Sequence, residues 1–419
     1  MSLLIEHIKI HSPGGPLNNQ TAIGIDQGLF VDPNRLQSPD RLDGKGQHLI
    51  PGLIDLRAHL REPGLEHKGT IGSETLAAVR GGITTVLAMP NTDPVIDSPA
   101  AVRLVLERAE KIGFCRVLPT AMLTLGGKGL QLSEMAALVD AGCVALAQGS
   151  RPFGSQKIEY HALKYAKSLG VTVILDPEAP DFAGGCAHAG YVGTGLGLPL
   201  NSPLSEVLGL GTDLELIEAT GVRAHISRLT TATAVDRIRE AKARGLPISC
   251  DVSLAHLLYT ETALVNLDPV FHLERPLRTE ADRKALINGL IDGTIDAIVT
   301  DHTPHESGAK LAPFPETETG MSIIEATLNL LLTLDQNDEL PFDISLQAMT
   351  GNPAKLFQKP GFGQIAFGLS ADCVLYDSTK PTHIDSSHWI SAGHNSPIFG
   401  QELPGTITGV WVAGKQVQN

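Results

Sequence analysis

From Gly52 to Thr300 the chain alternates short apolar runs, rich in β-forming residues, with segments whose hydrophobic period is 3.6 residues, and this alternation decides what it can fold into. Eight runs are counted: Leu53 to Ala58, Ile83 to Ala88, Phe114 to Ala121, Cys143 to Ala147, Val171 to Leu175, Val222 to Ser227, Leu246 to Val252 and Ile295 to Thr300. Between them lie helical patterns such as Ala100 to Ile112, Leu132 to Ala141, Ala232 to Ala243 and Glu280 to Ile291, and two more follow the last run, Ile323 to Leu334 and Ser345 to Leu356. Eight β/α units in succession predict an α/β fold, a closed parallel (β/α)8 TIM barrel.

The ends of the chain lack this texture. Leu3 to Ile10 and Ala22 to Val31, the latter broken by Asp26-Gln27-Gly28, read as a small antiparallel sheet, and the tail from Gly363 returns to strands, among them Cys373 to Tyr376 and Ile407 to Val417 with a turn at Gly414-Lys415. Short strands at both ends of a barrel chain most simply pair with each other. The expected division is therefore a barrel over 52–356 and a small, discontinuous, β-sandwich-like domain made of 1–51 and 357–419. The Gly- and Pro-rich loop 184–203 is expected above the C-terminal ends of the strands, and there is no internal repeat.

At 419 residues, with 42% hydrophobic and 19% charged residues, the chain can bury a large core. A formal net charge of -14 argues against nucleic acid or an anionic membrane as partner, since both call for clustered Lys and Arg. No apolar run approaches the roughly 18 residues of a membrane span, and Met1 to His7 lacks the grammar of a signal peptide, so a cytoplasmic protein is expected. The five cysteines (Cys115, Cys143, Cys186, Cys250, Cys373) form no Cys-x-x-Cys and are expected as buried, reduced thiols.

A barrel enzyme keeps its chemistry just past the C-terminal ends of its strands. Reading only those positions collects Arg57, His59 and Arg61 after the first strand, Asn91 after the second, Gln148 after the fourth, Asp176 and Glu178 after the fifth, Arg228 after the sixth, and Asp301, His302 and His305 after the eighth. In a strand Asp55, Arg57 and His59 share a face, and a His-x-His there would offer two nitrogens to one metal, but the first position is an Arg.

The residues 51 to 64 (Pro-Gly-Leu-Ile-Asp-Leu-Arg-Ala-His-Leu-Arg-Glu-Pro-Gly), 81 to 92 (Gly-Gly-Ile-Thr-Thr-Val-Leu-Ala-Met-Pro-Asn-Thr), Thr300 to His305 (Thr-Asp-His-Thr-Pro-His) and 351 to 355 (Gly-Asn-Pro-Ala-Lys) resemble the dihydroorotases of the amidohydrolase superfamily, nearly end to end. The resemblance implies a TIM barrel of the metal-dependent hydrolase type, whose family hydrolyses dihydroorotate to carbamoyl aspartate, or closes the ring in reverse. Zinc at the mouth activates water there, and the aspartate after strand eight, here Asp301, serves as ligand and proton shuttle. It also places Arg61, Asn91 and His305 where the family grips the substrate's carboxylate.

At the ligand positions the chain departs from the family. Arg57-Ala58-His59 stands for His-x-His, Gln148-Gly149-Ser150 for Asp-Asp-Gly, Asp176-Pro177-Glu178-Ala179 for His-Cys-Glu-Asp, and His225-Ile226-Ser227-Arg228 puts Arg228 on the ligand position after strand six. Only His59 and Asp301 survive, as vestigial ligands. Two ligands do not hold a catalytic zinc, and a guanidinium stays protonated with no lone pair to donate.

The expectation is a pseudoenzyme of pyrimidine biosynthesis with no cofactor, zinc belonging to the active family. It resembles the noncatalytic dihydroorotase-like subunit that accompanies the aspartate transcarbamoylase catalytic chain, so an oligomer is expected. The alternatives are an active zinc enzyme with a mononuclear site rebuilt from His59, Asp176, Asp301 and His256, and a regulatory subunit binding dihydroorotate or carbamoyl aspartate. A last expectation is electrostatic: Arg57 and Arg228 each neutralise one of the buried carboxylates Asp301 and Asp176 in the metal's stead.

Overall fold

The computed structural model describes residues 2–357 and 361–417; Met1, 358–360 and 418–419, all assigned above to the terminal β domain, lie outside the described residues. Eight strands, β1 (Leu53–Ala58), β2 (Ile83–Ala88), β3 (Arg116–Met122), β4 (Ala145–Ala147), β5 (Thr172–Leu175), β6 (Ala224–Ile226), β7 (Ile248–Ser253) and β8 (Ala297–Val299), pair in sequence order as one parallel sheet. The sheet closes between its first and last members through the parallel bridge Ala58–His302 and the His59 N–H donating to the His302 carbonyl at 2.9 Å. Asp55, fully buried on β1, fastens the same seam by accepting the Thr300 N–H at 3.0 Å and the Thr300 hydroxyl.

All eight expected strands are present. Several are shorter than the apolar runs because flanking residues hydrogen-bond backwards: the Cys143 N–H goes to Leu138 and the Gly142 N–H to Val139, so β4 starts only at Ala145.

The helices α1 (Ile71–Arg80), α2 (Pro99–Ile112), α3 (Met135–Asp140), α4 (Gln156–Leu169), α5 (Pro203–Thr220), α6 (Ala232–Ala243), α7 (Glu280–Ile291) and α8 (Thr327–Gln336) accompany the strands. Most begin where a hydroxyl can take a free N–H: Thr70 and Ser73 form a capping box, as do Thr279 and Asp282, while Ser98, Ser155, Ser202 and Thr231 cap α2, α4, α5 and α6. Two expectations are corrected. The pattern Ser345 to Leu356 is two helices, Phe342–Ala348 and Gly351–Leu356, interrupted at Met349-Thr350. The pattern from Leu132 becomes helical only at Met135, because Leu132 bridges Thr124 and the Ser133 hydroxyl is tied to the Met122 carbonyl at 2.7 Å.

Apart from a short antiparallel pair, Thr382–His383 with Glu402–Leu403, the described terminal strands build two sheets. One orders Leu29–Val31, Ala22–Asp26, Ser2–Glu6 and Asp40–Asp43; it is mixed rather than antiparallel, since Ser2–Glu6 runs parallel to Asp40–Asp43. The other orders Lys9–Ile10, His48–Pro51, Cys373–Asp377, Thr406–Val412 and Lys415–Val417, and the antiparallel pairing of His48–Pro51 with Cys373–Asp377 joins the two ends of the chain. The last two strands turn at Ala413-Gly414, both at positive φ (47° and 74°) as a tight hairpin demands, so the turn falls one residue before the expected Gly414-Lys415. Ile5, Ile23, Phe30, Leu49, Leu375 and Trp411 form the shared core of these sheets. All five cysteines are free and buried, and among the described residues no helix is long and apolar enough to cross a membrane.

Candidate active site

Three residues at the strands' C-terminal ends hold left-handed backbone: Arg61 (φ 67°), Arg228 (φ 60°) and Asp301 (φ 50°). Such conformations cost about 1–3 kcal/mol each and persist where surrounding structure fixes them. For Arg228 the fixing group is Asp251 on β7. Its carboxylate accepts the Arg228 N–H at 2.6 Å and the Ser227 hydroxyl at 2.9 Å, and pairs with His225 Nε2 at 2.9 Å. His225 Nδ1 is held in turn by Ser249 Oγ at 2.8 Å, so His225 is a strut beneath the site.

Arg57 and Arg228 fill the mouth. Arg57 donates through Nε to Asp301 Oδ1 at 2.9 Å, and its Nη1 lies 3.2 Å from Asp176 Oδ1. Arg228 donates through Nε to Asp176 Oδ1 at 3.0 Å and through Nη2 to Ser150 Oγ at 2.6 Å; its Nη1 lies 2.6 Å from Glu274 Oε2 and 3.5 Å from Asp301 Oδ2. Both arginine side chains are 1% exposed and that of Asp176 is 0% exposed. The expected pairing of one arginine with one carboxylate is corrected to a shared network in which each arginine touches both aspartates. Burial opposes ionisation of Asp176, but Arg228 and Arg57 outweigh it and hold its carboxyl below the usual range. At Asp301 burial wins over Arg228 and Arg57 and raises the carboxyl, with Glu274 and Asp176 adding to the rise.

Ser150 and Glu274 were not singled out from sequence. Ser150 rather than Gln148 reaches Arg228 because Gly149, at φ 66°, turns the chain between them. Gln148 is a structural pin instead, accepting from Thr124 Oγ1 at 2.9 Å and donating to the Gly127 carbonyl at 3.2 Å. Glu274 sits far beyond β7; its one sequence signal is a charged pair, Glu274-Arg275, inside the apolar stretch Phe271 to Leu277.

The remaining expected residues fall into two groups. His256 is not part of the network: its Nδ1 pairs with Ser253 Oγ at 2.8 Å and its Nε2 faces the Pro276 carbonyl at 3.4 Å, and burial pushes its pKa down to about 3. His59 has a buried Nδ1 with no partner, and burial together with Arg61 and Arg57 keeps it neutral. Arg61 and His305 do meet, Nη2 to Nε2 at 3.1 Å, while Arg61 Nε donates to the Pro304 carbonyl at 3.0 Å. Arg61 is 8% exposed, yet among the described residues it has no carboxylate within ion-pair distance, and burial lowers its pKa to about 10. Glu62 is occupied elsewhere, accepting the Ile71 N–H at 2.9 Å. Asn91 lies beside Gly149, makes no hydrogen bond to Arg61 or His305 among the described residues, and leaves its Oδ1 without a partner, as His305 leaves Nδ1.

This donor set does not fit the zinc that the resemblance implies. Among the described residues no three His, Cys, Asp or Glu side chains are arranged to hold a metal ion, and the two aspartates at the mouth already accept from guanidinium groups.

A family described as "Dihydro-orotase-like" matches residues 46–234. The chain is 41% identical to a "Dihydroorotase-like protein" of Pseudomonas aeruginosa over 99% of both chains, and 37% identical to a protein of the same description from Pseudomonas putida over 99% and 98%. It is 35% identical to a "Dihydroorotase" of Pelobacter propionicus over 100% and 99%. Among solved structures, an L-hydantoinase (dihydropyrimidinase) from Arthrobacter aurescens superposes with a TM-score of 0.88 at 21% identity over 99% and 95% of the two chains, and a D-hydantoinase from Thermus sp. with 0.84 at 23% over 99% and 94%; these likenesses establish the fold, a TIM barrel with a small β domain. By its full-length relatives, the chain belongs to the dihydroorotase family of the amidohydrolase superfamily.

Proposed function

We propose that this chain is a dihydroorotase homologue of de novo pyrimidine biosynthesis that does not turn over substrate and acts as a structural partner of aspartate transcarbamoylase. The observation that carries the reading is the ion-paired core of the mouth, where Arg57 and Arg228 stand on two family ligand positions and engage the retained Asp301. A guanidinium supplies no lone pair to a metal and does not lower the pKa of a bound water. Asp301, the group that would relay a proton, is held between two fixed cations. A barrel kept whole around such a site points to a role in assembly, and the choice of partner rests on family resemblance. The test is co-expression with the transcarbamoylase catalytic chain followed by size exclusion: a joint peak with altered transcarbamoylase activity supports the reading, and two separate peaks with unaltered activity refute it.

A second reading, a regulatory subunit that binds dihydroorotate or carbamoyl aspartate, is favoured by Arg61, a buried guanidinium without a carboxylate partner beside His305. A buried cation left unpaired is costly unless an anion arrives to share the site.

A further inference from the structure

Beside the arginine network a cavity of about 490 Å³ opens between the start of α4, the segment after β5 and the middle of α5. Two of its wall residues are carboxylates at least nine-tenths buried: Glu159 from the first turn of α4 is 7% exposed and Asp213 on α5 is 8% exposed. Of the other acids on the wall, Asp181 is exposed to solvent and the remaining two have partners. Asp176 is taken by the two arginines, and Glu178 lies 3.5 Å from Arg275 Nη1. Glu159 and Asp213 have only each other: among the described residues no N–H or hydroxyl donates to either carboxyl, and no Lys, Arg or His nitrogen comes within ion-pair distance. Arg151, the basic residue on the wall, spends its Nη1 on the Gly126 carbonyl at 2.9 Å.

Two buried carboxyls facing one another cannot both ionise without a cation between them. In the free protein that cation is a proton: burial raises both groups, and Glu159 raises Asp213 further while Arg275 pulls it down and Asp176 pushes it up. The rest of the wall is apolar where Phe153, Leu175 and Leu208 line it. The site therefore offers a charged end and a hydrocarbon channel.

We propose that this cavity binds a small aliphatic primary amine, its ammonium seated between Glu159 and Asp213 and its stem along Phe153, Leu175 and Leu208. On binding, the ammonium replaces the shared proton, which leaves to solvent, so one positive charge is exchanged for another and three N–H donors meet the carboxylate oxygens. The cavity shares Ser150 and Asp176 with the arginine network, but the amine site itself uses neither and does not rest on the proposed function.

The test is isothermal titration of the full chain at neutral pH with n-butylamine and with putrescine, in two buffers of different ionisation enthalpy, with n-butanol as the uncharged control. The expected result is binding of both amines at concentrations up to about 10 mM, release of close to one proton per amine, and no binding of butanol. Glu159→Gln and Asp213→Asn should each weaken amine binding at least tenfold, about 1.4 kcal/mol, while melting no lower than the parent, because an amide needs no counter-cation. Absence of heat from both amines, butanol binding as well as butylamine, or unchanged amine affinity in both variants overturns the proposal. Should the amide variants fail to fold, the parent's proton count decides alone, and amine binding without proton release refutes the site.

Discussion

Arg228→Ala is the substitution that most loads the account. The side chain is 1% exposed and contacts Asp176 at 3.0 Å, Glu274 at 2.6 Å, Ser150 at 2.6 Å and Asp301 at 3.5 Å. Removing one partner of a buried pair costs about 3–5 kcal/mol, because the other charge stays buried. Here Asp176 retains Arg57 at 3.2 Å, which places the cost toward the lower end. The Glu274 bond adds less than its length suggests, since that side chain is 43% exposed and water can replace the arginine; a pair of that kind is worth about 0–1 kcal/mol. About 3 kcal/mol is therefore expected at neutral pH, read from urea unfolding followed by circular dichroism. The loss has a predictable pH dependence. Asp176 is held below its ordinary 3.8 when folded, so its stabilisation is fully present above that value and is lost as pH falls through the folded pKa. The gap between Arg228→Ala and the parent should therefore be widest near neutrality and narrow as acid protonates Asp176 in the folded proteins. A double variant with Asp176→Ala should lose less than the sum of the two single losses, since each removes the same contact. A loss under about 1 kcal/mol, or additive single effects, would show that the arginines are solvated bystanders.

Three further outcomes follow from the same geometry. Chelator treatment should leave the melting temperature where it was, because no metal is asked to hold the barrel mouth; a sharp fall in the melt would contradict this. Calorimetric titration with dihydroorotate and carbamoyl aspartate should give heat that Arg61→Ala removes if the regulatory reading is right, and silence at millimolar ligand counts against it. Glu74→Ala should cost about 3 kcal/mol, because the fully buried Glu74 accepts from His302 at 2.7 Å, Ser391 Oγ at 2.6 Å and the Ala392 N–H at 3.0 Å, all stranded by its loss; a neutral result would remove that tie from the account.

The barrel was legible because its strands are continuous apolar runs and the segments between them carry a helical period. Four members of the network, Arg57, Asp176, Arg228 and Asp301, were legible for a related reason: they lie within a few residues of a strand end, where the fold dictates which face they meet. Glu274 escaped, since the chain from Ser253 reaches it through Leu254–Leu258 and the short turns Glu261–Asn266 and Pro269–Phe271, none of which carries a period that fixes where it returns. Gln148 misled because position after a strand was taken as direction, whereas the left-handed Gly149 hands that role to Ser150. The Asp55–Thr300 fastening of the seam joins residues at opposite ends of the barrel sequence and leaves no local mark.

We propose that guanidinium groups stand where the family keeps zinc and that turnover has gone with the metal. Elemental analysis of protein purified without chelator and incubated with excess zinc, paired with assays of dihydroorotate hydrolysis and carbamoyl aspartate cyclisation on the same sample, tests it most directly. The expected result is far less than one zinc per chain and no rate above background in either direction. One or more zinc ions per chain together with turnover that rises with zinc content would contradict it.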